Sequence, residues 1–212
     1  MGIPEHANPE SGGRLEQLAR QLARVFTIGK STKHKAILLQ DLEEWENSLL
    51  DAYAVFRGGA SKDKAFLLAS EWMQDNFYIV MQTFRQVNEG LPSSYFNQLP
   101  RLDGTIQKGY PRIFALSWEW VGFSQNMLEL AQTTTFVQEF QQVTSLTIAE
   151  LWALPNMLRI AILRRLVDIT AETPGIDVPK SLGETPGQNA YPPQANEISV
   201  ANCILSLRLL AA

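Results

Sequence analysis

Thiol and imidazole chemistry have little to draw on in this chain. It holds one cysteine, Cys203, and two histidines, His6 and His34. A single cysteine excludes an internal disulfide. The three residues have no metal-ligand spacing, so no metal is expected. With two poorly placed histidines and no G-x-S-x-G elbow, a Ser/His/Asp triad has little support. The G-x-G-x-x-G and G-x-x-x-x-G-K-[ST] phosphate cradles are missing too, and no cofactor is expected. Basic residues are not in excess: the formal net charge is −4, which argues against a nucleic-acid or anionic-membrane footprint. Long apolar runs are absent. The greasiest stretch, "IFALSWEWVGF", is too short to span a bilayer and contains Glu119. The N-terminus "MGIPEHANPESGG" lacks the basic-then-apolar order of a secretory signal.

Helical periodicity is what the sequence has in quantity. Leu15, Leu18, Leu22, Val25 and Phe26 recur at helical spacing. Leu38, Leu42, Trp45, Leu49, Ala52 and Phe56 alternate four and three apart, until Gly58–Gly59 stops the run. A third helix is predicted over 62–89, with Leu68, Trp72, Val80, Phe84 and Val87 inward. Its stripe drifts near Asp75, which predicts a bend or a new cap there. Gly90 fits a C′ position and Pro92 prevents continuation. The segment 111–131 is apolar nearly all round, the mark of a helix at the centre of its domain. A short helix with Phe136, Phe140 and Val143 inward follows.

These patterns predict an all-α fold. It is a multi-helix bundle with a central apolar helix, a Pro/Gly-rich linker and a C-terminal helix. Residues 1–13 read as a disordered tail and 14–171 as the helical domain. Residues 172–196 read as a linker, rich in proline and glycine and poor in apolar surface. Residues 197–212 read as the start of a further helix, which ends on Leu-Leu-Ala-Ala without a cap. On that ending, the chain is expected to be a piece of something longer.

The stretch "SLTIAELWALPNMLR" (145–159) places a proline two turns into a helix. Thr147 and Glu150 match the S/T-x-x-E capping box, which satisfies N–H groups left unpaired at a helix start. Pro155 removes one backbone hydrogen bond and crowds the preceding turn. Trp152 and Met157 are expected to fill the core on either side of the bend. On that expectation Pro155 is kept for packing, and Pro155→Ala lowers stability.

Candidate chemistry falls to a few charged and aromatic residues. Glu71 and Asp75, four apart, read as a solvated face plus a cap. Glu119 between Trp118 and Trp120 is a pocket acid, the partner of an arginine (Arg112 or Arg159), or a residue in an exposed slot. Tyr95, Phe96, Tyr110 and the tryptophans could stack on sugar rings, but helical spacing favours core. No catalytic constellation emerges. The candidate pocket or structural residues are thus Glu119, Arg112, Arg159, Trp118, Trp120, Trp152, Pro155, Thr147 and Glu150.

Five stretches, in order, carry a resemblance. They are "EWMQDNFYIV" (71–80), "LPSSYFNQLPRL" (91–102), "GYPRIFALSWEWV" (109–121), "SLTIAELWALPNMLR" (145–159) and "VANCILSLRLLAA" (200–212). They resemble the N-terminal region of the cyclic β-1,2-glucan synthases, large bacterial envelope enzymes, over roughly 14–171 and the last helix. The resemblance implies a parent glycosyltransferase that builds glucan from UDP-glucose, with cyclising and phosphorylase-like domains further along. It implies a bacterial inner-membrane location for the parent and the cytoplasmic side for this segment. The catalytic residues of that family lie past this stretch, so none carries over. The implied role is a non-catalytic helical domain supporting the enzyme in cis, with downstream domains of the same polypeptide as partners. The alternatives are a glucan- or primer-binding module and a free-standing helical adaptor. No nucleic acid and no membrane span in this chain is expected under any of them.

Overall fold

Helix punctuation sets the order of elements. The computed structural model describes residues 9–29, 37–59, 61–103, 107–173, 175–176 and 199–211. The expected tail up to residue 8, His6, His34 and residues 177–196 of the expected linker lie outside the described residues. The described residues form eight helices and no strand: α1 (Pro9–Val25), α2 (Ile37–Gly58), α3 (Lys64–Gly90), α4 (Ser93–Phe96), α5 (Arg112–Phe123), α6 (Leu130–Gln141), α7 (Ile148–Glu172) and α8 (Ser199–Ala211). The fold is all-α.

The α2 stripe is buried along its full expected length, from Leu38 to Phe56. Gly59, in the left-handed region at φ 64°, follows the helix end. α1 starts at Pro9, so residues 9–13 are helical rather than part of the tail. α3 runs unbroken through Asp75, so no new helix is capped there. Its cap is Asp63, whose carboxylate accepts from the N–H groups of Ala65 and Phe66 at 2.8 and 3.3 Å. The stripe drifts because α3 packs on three partners, α2, α7 and α8. Gly90 is the last residue of α3, and its lack of a side chain makes room for Asn156: a Cβ there would lie 2.4 Å from Asn156 Nδ2.

The expected central helix is there, but shorter. α5 ends at Phe123, where Gln125 and Asn126 take positive φ and turn the chain into α6. Every residue from Arg112 to Val121 is buried. α5 packs along α7, itself buried continuously from Ile160 to Thr170. α6 lies on α1, and α8 on α3 and α7. The connector before α5 is pinned by isolated antiparallel bridges, Ile28 to Leu102 and Arg101 to Pro111. Leu91, Phe96, Leu99 and Leu102 anchor it in the core.

Candidate functional site

The charged residues that could carry chemistry lie inside the bundle, at the α5–α7 seam. Pro111 directs Arg112 into the first position of α5, and Thr147 opens α7 beside it. The Arg112 guanidinium donates to both Glu150 oxygens, Nε to Oε1 at 2.8 Å and Nη2 to Oε2 at 2.6 Å. Nη2 also donates to the Ser145 carbonyl at 3.0 Å. Glu150 Oε2 accepts from the Thr147 N–H at 2.8 Å and its hydroxyl at 3.0 Å. The Thr147 hydroxyl in turn accepts from the Glu150 N–H at 3.2 Å. The expected capping box is therefore present, and a buried bidentate ion pair is built onto it. Both charged side chains are 1% exposed or less. Such pairs tolerate burial only when the remaining donors and acceptors are satisfied, as they are around this carboxylate.

Glu119 pairs with neither arginine expected for it. Arg112 is held by Glu150. Arg159 donates to Asn156 Oδ1 at 2.9 Å and to the Leu210 carbonyl near the end of α8, where a cation suits the unpaired carbonyls. Glu119 instead has Gln107 Nε2 at 3.5 Å and the charge of Arg165 nearby. Burial pushes its carboxyl above the usual range, and Arg165 only partly offsets this. The Arg165 guanidinium lies 4.0 Å over the Trp118 ring. Its neighbour Arg164 lies 5.2 Å over Trp45 and 3.3 Å from Asp168 Oδ1. Burial raises Asp168, against the pull of both arginines. Burial also pushes the Cys203 thiol up to about 12, which leaves it un-ionised and unreactive at neutral pH. Trp120 donates its indole N–H to Thr133 Oγ1 at 3.0 Å and stacks on Phe136.

One of the two expected core residues, Trp152, lies on the outside, as does the proline at the expected bend. Trp152 is 80% exposed and Pro155 is exposed, whereas Met157 is fully buried. Leu154 is half-buried and Ala153 fully buried, so the inward face of this turn falls one residue after Trp152. The sequence reading of Trp152 as core is corrected accordingly.

No family model matches the chain. Over 125 residues, 58% of its length, it is 31% identical to "Cyclic beta-(1,2)-glucan synthase NdvB" of Rhizobium meliloti (strain 1021). The chain spans only 4% of that protein's length. The family named from sequence motifs thus recurs in a direct comparison.

The structure brings Arg112, Thr147 and Glu150 together, sets Glu119 and Trp118 beside Arg165, and places Trp120 against α6. Arg159 stands apart, reaching from α7 to the end of α8. Sequence reasoning missed Arg164, Arg165 and Asp168. Their signal was present: three charges in an otherwise apolar α7 run, "IAILRRLVDI". Charges at helical spacing on a face that must be buried imply partners inside the core. No helix among the described residues is long and apolar enough to cross a membrane.

Proposed function

We propose that this chain is a non-catalytic helical domain of a cyclic β-1,2-glucan synthase, supporting in cis an enzyme that makes cyclic glucan from UDP-glucose. The observation that carries the reading is the use to which its charged groups are put. Arg112 and Glu150 saturate each other and a helix cap inside the core. Glu119, Arg164, Arg165 and Asp168 are all buried between helices. These groups hold α5, α7 and their neighbours in register and present no reacting face. The similarity to the Rhizobium meliloti protein supplies the context. The placement of the parent enzyme in the bacterial inner membrane, with this domain on its cytoplasmic side, belongs to the same proposal.

The test uses Arg112→Met in the longer polypeptide. Breaking one side of a buried ion pair costs about 3–5 kcal/mol. The variant should reduce the amount of folded synthase while leaving cyclic glucan formed per folded molecule unchanged. Wild-type amounts of folded protein with product per molecule down ten-fold or more would overturn the reading and place Arg112 in the catalytic machinery.

A further inference from the structure

The first two turns of α7 present an apolar strip to solvent. Ile148 is 76% exposed, Leu151 37% and Trp152 80%, with Pro155 exposed beyond them. The spacing of three, four and seven puts all four on one side of a helix. Glu150, the charged residue among them, is turned inward onto Arg112. The outer face of these turns thus carries no polar side chain. Deeper in the same helix, from Ile160 to Thr170, every side is covered.

The chemistry of the strip narrows its occupant. A sugar needs hydroxyl partners beside a stacking ring, and the strip has none. An anionic bilayer surface is drawn by lysine and arginine, and residues 142–158 contain neither. A second copy needs area. One indole and three smaller side chains present on the order of 400 Å², roughly half of the ~800 Å² each partner buries in a stable complex. Tethering removes that shortfall, because a linked surface meets the strip at high effective concentration. Contacts between domains of one chain bury as little as about 600 Å² in total.

We propose that the Ile148–Leu151–Trp152–Pro155 strip is the docking face for an apolar, uncharged surface elsewhere in the same polypeptide. This rests on the reading of the chain as one domain of a longer synthase. The test places a photoreactive residue on the strip in the full polypeptide, Trp152→p-benzoylphenylalanine. The control is the same residue at Tyr78, which is exposed on α3. Irradiation in native membranes, followed by mass spectrometry, should yield peptides joined from position 152 to residues outside 1–212, at least five-fold above the Tyr78 control. Links to a second copy of residues 1–212, to lipid or to glucan overturn the proposal, as does a yield no higher than the control. Failure of the underlying reading looks different. A full polypeptide that makes no cyclic glucan, yet links in cis at position 152, overturns the synthase reading alone. A reading frame that stops at Ala212 overturns both.

Discussion

At the residue scale, the buried carboxyl of Glu119 gives a pH signature. Its folded pKa is raised by burial, with Arg165 pulling the other way. A carboxyl raised on folding favours the folded state fully below its unfolded pKa. That contribution is lost as pH rises through the folded value, because the folded state then holds a charge it solvates poorly. Asp168 is raised for the same reason and acts in the same direction. Stability carried by these two groups should therefore fall as pH rises from the carboxylate range toward neutrality. Glu119→Gln cannot ionise and should show a shallower fall, with Asp168 and Asp41, which burial also raises, supplying the remainder. Urea melts of wild type and variant at a series of pH values measure it; parallel pH profiles would show that Glu119 does not contribute. Sequence reasoning found this residue by its setting between two tryptophans. It could not find the partner, because Arg165 lies on a different helix and only packing brings the two together.

At the element scale, α7 divides into an exposed entry and a buried body. Thr147 caps the entry and also supports the carboxylate that Arg112 grips. Thr147→Ala should therefore destabilise by about 1–2 kcal/mol, the upper part of the range for a lost cap. Thermal and denaturant melts check it. Pro155 has the opposite sign. A proline inside a helix costs roughly 3 kcal/mol, and the entropy it removes from the unfolded chain returns only about 0.4–1 kcal/mol. Packing was the expected compensation, but Trp152 and Pro155 face solvent. Pro155→Ala in the 212-residue chain should accordingly raise stability by about 2 kcal/mol, measured by the same melts. The capping box was legible because its signal is local, two residues three apart. The facing of Trp152 was not, because a helix apolar on all sides does not say which side meets a neighbour. The same ambiguity lengthened α5 on paper: Leu128 is buried and continued the apolar pattern, while the turn at Gln125 and Asn126 depends on backbone geometry that composition does not report.

At the scale of the whole molecule, the last helix decides how much of the chain folds as one unit. α8 is separated from α7 in sequence but packs on α3 and α7. It buries Val200, Cys203, Ile204 and Leu207. Ser206 Oγ donates to the Asn126 carbonyl at 2.7 Å and accepts from the Leu128 N–H at 2.8 Å, tying α8 to the turn between α5 and α6. Arg159 reaches from α7 to the Leu210 carbonyl, and Arg208 reaches from α8 to Asn76 on α3. Each fully buried apolar side chain contributes about 1.5–3 kcal/mol. Four of them match much of the ~5–15 kcal/mol by which a domain is stable. Removing α8 would also leave the faces of α3 and α7 that it covers open to water, along with the backbone groups at Asn126 and Leu128. A chain ending at residue 198 should therefore lose its cooperative thermal transition while keeping much of its helical circular dichroism, and it should bind the dye ANS, as expanded helical states do. A truncated chain that melts sharply within a few degrees of the full 212 residues would make α8 a separable appendage and confine the cooperative unit to α1–α7.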